Sequence, residues 1–139
     1  MTRINLVPVE ELSDQHLLAE YHELPRCIKQ HINTVDASDA YILGKGHMKW
    51  AKKHTIFLLD RYSQLWCELL WRHFKPTYPP SSLISCAIDN TPESDRNKYL
   101  PTENDITLSR SRLIEKYSLK PLFYKWTNRR RPSYYDRAK

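Results

Sequence analysis

An all-α fold is predicted for this 139-residue chain, on three observations. Apolar residues recur at spacings of three and four over three long stretches. No stretch alternates apolar and polar residues as a half-buried strand would. Cap-forming residues and prolines fall where such helices would start and stop.

Ser13 is placed to cap the first helix, with Asp14 in the first turn, where the helix dipole favours an anion. Leu17, Leu18, Tyr21, Leu24, Ile28 and Ile32 then mark an amphipathic helix to about residue 32. Pro25 lies inside it and removes one backbone hydrogen bond, so a kink or short break is expected there. A polar loop covers residues 33–39. Both glycines of the chain, Gly44 and Gly46, follow just before His47, so the backbone is expected to turn tightly. The second helix is expected from about residue 47 to 74, with Ile56, Leu59, Tyr62, Leu65, Trp66, Leu69, Leu70 and Phe74 as its apolar stripe. Cys67 on this helix reads as a small buried hydrophobe. Lys75-Pro76 ends the helix, and residues 75–104 are expected to be irregular. Thr102 followed by Asp105 opens a capping box, and Ile106, Leu113 and Tyr117 mark a third helix to about residue 118. The expected architecture is a single domain over residues 1–139. It has three main helices, long irregular loops and a basic, aromatic C-terminal tail from about residue 118.

Composition excludes several function classes. A chain of this length buries about 70% of its unfolded surface, enough for a core without metal or disulfide staples. Two glycines exclude a dinucleotide-binding glycine loop or a P-loop. The longest apolar run is residues 56–59, too short to span a membrane. The first fifteen residues have no apolar central stretch, so an intracellular, cytoplasmic protein is expected. Three widely spaced cysteines fit reduced thiols. Cys27 and His31 have a ligand-like spacing but no second pair, so no metal or other cofactor is expected.

The net charge of +6 is lopsided. Residues 110–139 hold ten Lys or Arg against two acids, a balance of +8, which leaves −2 for the rest. Phe123, Tyr124, Trp126, Tyr134 and Tyr135 are interleaved with these cations. That pattern suits a phosphate backbone and exposed bases; the plainer reading is a solubilising tail.

Two places carry candidate chemistry. His16, Glu20 and Glu23 share one face of the first helix, and His22 and Arg26 share another edge. Paired acids on a helix are more often surface charge than catalysts, and a lone histidine is more often structural. The second place is the N-terminus, Met1-Thr2-Arg3. Removal of Met1 before a small residue leaves Thr2 with a free α-amine. Such an amine has a pKa of about 7.7–8.0, well below that of lysine, and nearby cations such as Arg3 and Arg26 would lower it further. It is a usable nucleophile near neutral pH.

Residues 1–6 (MTRINL), Asp14-Gln15-His16-Leu17, the block from Ala19 to Arg26 (AEYHELPR), Ile42-Leu43-Gly44-Lys45-Gly46-His47 and Ser111-Arg112-Leu113-Ile114-Glu115-Lys116 closely resemble the pyrimidine-dimer DNA glycosylases of the phage endonuclease V family. Pro121 and Tyr124-Lys125 continue the match, which runs in order along nearly the whole chain and is weakest over residues 75–100. The resemblance implies an all-α, two-step repair enzyme. It excises one pyrimidine of a UV-induced cyclobutane dimer, then nicks the abasic site by β-elimination through an imine on the Thr2 α-amine. Glu23 falls on the family's essential carboxylate. Arg3 and Arg26 fall on its basic residues at the lesion, Gln15 and His16 on first-helix positions near the site, and Arg112 and Lys116 on basic positions of the third helix. His22 stands where the family has arginine. Lys125 belongs to the aromatic-basic stretch, to which Arg129, Arg130 and Arg131 add charge. The implied partner is double-stranded DNA carrying pyrimidine dimers, bound by a monomer. The alternative is a noncatalytic basic module for double-stranded nucleic acid, which would keep the arginines but not need Thr2 with Glu23.

Overall fold

A computed structural model describes the backbone of residues 3–138. The fold is helical, and among the described residues the only strand-like pairing is a single antiparallel bridge between His54 and Arg96. Five α-helices form rather than three: α1 (Asp14–Lys29), α2 (His47–Lys53), α3 (Thr55–Trp71), α4 (Ser81–Asn90) and α5 (Glu103–Leu119). Short 3-10 turns cover Val9–Glu11, Glu93–Asp95 and Ser133–Ala138. The central layer is α1 packed on α3 and α4.

The first and last of these helices start as expected. Ser13 Oγ accepts the His16 N–H and caps α1. Thr102 and Asp105 close a reciprocal capping box on α5. The break expected at Pro25 does not occur, because α1 runs unbroken to Lys29. One missing N–H is outweighed by burial of Leu24, Cys27 and Ile28 on either side of it. Ile32 lies beyond the helix end.

The expected long second helix is divided at His54. Asn97, more than forty residues away, is the cause. Its Nδ2 donates to the Lys53 carbonyl at 2.8 Å, and its carbonyl accepts the Phe57 N–H at 3.2 Å. Asn97 thus takes the donor and the acceptor that would have bonded to each other within a continuous helix. The His54 ring adds a second interruption, with Nδ1 2.7 Å from the Trp50 carbonyl. The buried face of α3 also differs from the expected stripe. It runs through Leu58, Arg61, Tyr62, Leu65, Glu68 and Leu69, while Ile56 and Leu59 are half-buried and Leu70 is exposed. Cys67 is exposed rather than buried. Residues 75–104 are not irregular throughout, since they contain α4 and a 3-10 turn.

The basic tail packs onto the body. Tyr135 is buried and stacks edge-on against Tyr117 and Trp126. Trp126 Nε1 donates to the Glu11 carbonyl at 2.9 Å. The Asp14 carboxylate accepts both the N–H and the hydroxyl of Thr127, at 3.0 and 2.6 Å. Asp14 also pairs with Arg72, whose side chain is fully buried and reaches Glu68 as well. An acid placed to favour the start of α1 therefore also anchors the tail.

Candidate active site

The site is built on residues 3–8, which form no helix and pair with no strand. Their buried amides are satisfied by side chains instead. The Ile4 N–H donates to His47 Nε2 at 3.0 Å, the Asn5 N–H to Glu20 Oε1 at 3.1 Å and the Leu6 N–H to Ser109 Oγ at 2.9 Å. Those three acceptors sit on α2, α1 and α5. The Tyr41 hydroxyl donates to the Ile4 carbonyl at 2.6 Å, and the Arg61 guanidinium donates to the Val7 carbonyl at 2.5 Å. Four helices thus hold the amino end of the chain.

Beside it lies a cavity of about 300 Å³ lined by Arg3 and Asn5, by His16, Ala19, Glu20 and Glu23 of α1, and by Arg112, Leu113 and Lys116 of α5. The α1 face read from spacing is the face that lines it. Of the residues expected at the site, the structure gathers Arg3, His16, Glu23, Arg112 and Lys116 here. Thr2 lies outside the described residues.

The two acids of the face differ completely in their bonding. Glu20 is 1% exposed, and its carboxylate receives a two-pronged ion pair from Arg61, at 2.6 and 3.2 Å. It also accepts two hydrogen bonds from Asn5. Glu23 is half-buried and has no hydrogen bond or ion pair among the described residues, so its oxygens are open to the cavity.

Cations dominate the rest of the wall. The Arg3 guanidinium is shifted below its ordinary range, first by burial and then by Arg112, while Glu23 acts in the opposite direction. Burial, with Lys116 in support, pushes the His16 imidazole down to about 4. His16 is therefore neutral at neutral pH. Its ring lies flat against Tyr124, centroids 4.7 Å apart, and its Nδ1 is 2.9 Å from Ser13 Oγ. It presents a stacked, uncharged ring to the cavity.

The other expected residues lie outside this cavity. Gln15 uses both ends of its amide on the tail, donating to the Phe123 carbonyl and accepting from the Lys125 N–H. His22 is exposed, edge-on to Tyr21, and lines a separate pocket of about 180 Å³ with Tyr78. Arg26 and the Lys125 side chain are exposed. Arg129 forms a two-pronged pair with Glu68, both bonds 2.8 Å, and lies over the Trp71 ring. Arg131 is engaged by Asp136 and the Tyr117 hydroxyl, and Arg130 is exposed with no ion pair among the described residues.

A family model of the pyrimidine dimer DNA glycosylases matches residues 1–80, more than half of the chain. The chain belongs to the pyrimidine dimer DNA glycosylase family. Membership assigns this glycosylase a role in DNA repair, with DNA as its substrate. The match takes in Arg3, His16, Glu20 and Glu23 and stops before α5, from which Arg112 and Lys116 line the same cavity. No helix among the described residues is long and apolar enough to cross a membrane.

Sequence reasoning missed Asn5, which lines the cavity and ties the amino end to Glu20. It also missed the supports Tyr41, His47 and Ser109. His47 had a visible signal, directly after two closely spaced glycines. Ser109 had none, because its partner is 103 positions away.

Proposed function

We propose that this glycosylase excises one pyrimidine of a cyclobutane dimer in duplex DNA and nicks the abasic site by β-elimination, using the Thr2 α-amine as nucleophile and Glu23 as its acid–base partner. The supporting observation is the open Glu23 carboxylate in a cationic cavity that Arg3, covalently joined to Thr2, also lines. The amine nitrogen bonds to the sugar C1′ as the glycosidic bond breaks, and the base leaves with the electron pair and takes up a proton. Opening of the sugar ring and loss of the amine protons leave an imine. Removal of a C2′ proton then expels the 3′ phosphate, and water releases the sugar and restores the amine. Glu23 is positioned to stabilise cationic sugar character and to carry protons between these steps. Arg3, Arg112 and Lys116 bind the phosphates around the opened nucleotide. Residues 1–139 act as one repair domain, as a monomer inside the cell.

Borohydride is expected to trap a covalent protein–DNA adduct, and peptide mapping to place it on the first residue of the mature chain. An adduct on lysine, or none from an actively cleaving sample, overturns the reading.

Affinity for undamaged duplex is expected to be largely electrostatic. Arg130→Ala, Arg112→Ala and Lys116→Ala should each flatten the plot of log K against log salt by about 0.9. Arg129→Ala should change that slope much less, because its guanidinium is already neutralised by Glu68. Salt titrations of the four variants check this. An equal effect at Arg129 would show that it leaves Glu68 for phosphate.

A further inference from the structure

We propose that His47 is a positioning residue for the reaction: its Nε2 grips the Ile4 amide and sets the amino end against the cavity, and only the neutral ring can do so. This rests on the reading of the Thr2 α-amine as the nucleophile.

The hydrogen bonds determine the tautomer. His47 Nδ1 lies 2.7 Å from the Ile42 carbonyl oxygen, which can only accept. Nδ1 therefore carries the proton, and Nε2 presents a lone pair to the Ile4 N–H at 3.0 Å. A second proton on the ring would set N–H against N–H and abolish that bond. The ring itself has little freedom. It is buried, meets the Tyr41 ring edge-on with centroids 5.5 Å apart, and stacks on Trp50 at 5.8 Å. The turn bringing the Ile42 carbonyl to Nδ1 passes through Gly46 at φ 91°, where an added Cβ would lie 2.9 Å from Ile42 Cδ1. Tyr41 holds the opposite side of the same residue through the Ile4 carbonyl. Ile4 is thus gripped at both its N–H and its C=O, two residues from Thr2.

The surroundings favour the neutral ring. Burial has the largest effect and shifts His47 downward; Arg3 from the amino-terminal segment and Arg112 from α5 act the same way. The Ile42 carbonyl and Glu20 from α1 oppose them without reversing the shift. The grip is present at neutral pH and is released as acid charges the ring.

The test uses the full chain and a duplex carrying one preformed abasic site, with the borohydride trapping rate as readout. His47→Leu removes the acceptor and is expected to slow trapping by about 10²-fold, the cost of a small misplacement of a reacting group. Affinity for undamaged duplex should be unchanged, since no phosphate contact is lost. His47→Gln supplies a non-titrating acceptor and is expected to recover most of the loss. The ratio of wild-type to His47→Gln rates cancels the titrations of the amine and of Glu23. It is expected to hold through the ordinary histidine range, about pH 6.5, and to fall only as pH is lowered below it, because burial shifts this ring downward. A folded His47→Leu protein that traps at the wild-type rate overturns the proposal, and so does a ratio that stays flat down to the lowest pH at which both proteins remain folded. If His47→Leu does not fold, the ratio alone decides. A wild-type adduct mapped away from residue 2 would overturn the nucleophile reading instead, whereas an adduct at residue 2 with unchanged rates in both variants removes His47 alone.

Discussion

Glu23→Gln is expected to lower single-turnover strand cleavage by about 10³-fold or more. Acid–base help and stabilisation of a developing cation each contribute about 10²- to 10⁴-fold, and the proposed mechanism asks Glu23 for both. The substitution keeps shape and hydrogen-bonding groups and removes only the charge. Because Glu23 has no hydrogen bond or ion pair among the described residues, the melting temperature should hardly move. Affinity for dimer-containing duplex should be retained or rise, because an anion facing phosphates is lost. Single-turnover rates, binding isotherms and thermal melts of the variant check all three. A Glu23→Gln protein that no longer binds, or that melts far below wild type, would make Glu23 a folding residue.

Glu20→Gln is expected to do the opposite. The Arg61 side chain is 5% exposed, and Glu20 is its only counter-ion among the described residues. Removing one partner of a buried pair leaves an uncompensated charge, at a cost of about 3–5 kcal/mol. For a chain of this size that is a fall in melting temperature of about 10 °C or more. Cleavage per folded molecule should change by less than about tenfold. Replacing both partners with apolar residues of similar volume, Glu20→Leu with Arg61→Met, should recover much of the stability. A Glu20→Gln protein as stable as wild type but inactive would make Glu20, three residues before Glu23, the catalytic acid.

That contrast shows what the sequence could and could not reveal. The helix starts at Ser13 and Thr102 were legible because capping is local chemistry, complete within four residues. The shared face of His16, Glu20 and Glu23 followed from helical spacing and is the face that lines the cavity. Which acid is committed to structure was not legible. The answer depends on Arg61, which reads as an ordinary charged residue until α3 is docked. The split at His54 was hidden for the same reason, since Asn97 imposes it from a distant loop. Helix α4 buries only Leu83 and Ala87, too few positions to establish a period. The tail's charge and aromatics read as a phosphate-binding or solubilising stretch, and its packing onto the body through those aromatics and Asp14 was not legible.

The way the amino end is held has a consequence in time. Residues 3–6 leave the ribosome before their partners do. The acceptor for Asn5 is 15 positions away, that for Ile4 is 43, and that for Leu6 is 103. The first of these is within reach once α1 has emerged; the last is made only once Ser109 has emerged. The full set of holds on residues 4–6 is therefore complete only after α5 has emerged. Docking of α5 is then the event that completes the grip on the amino-terminal segment, and a chain truncated before residue 109 keeps the Glu20 and His47 holds but lacks the one at Leu6.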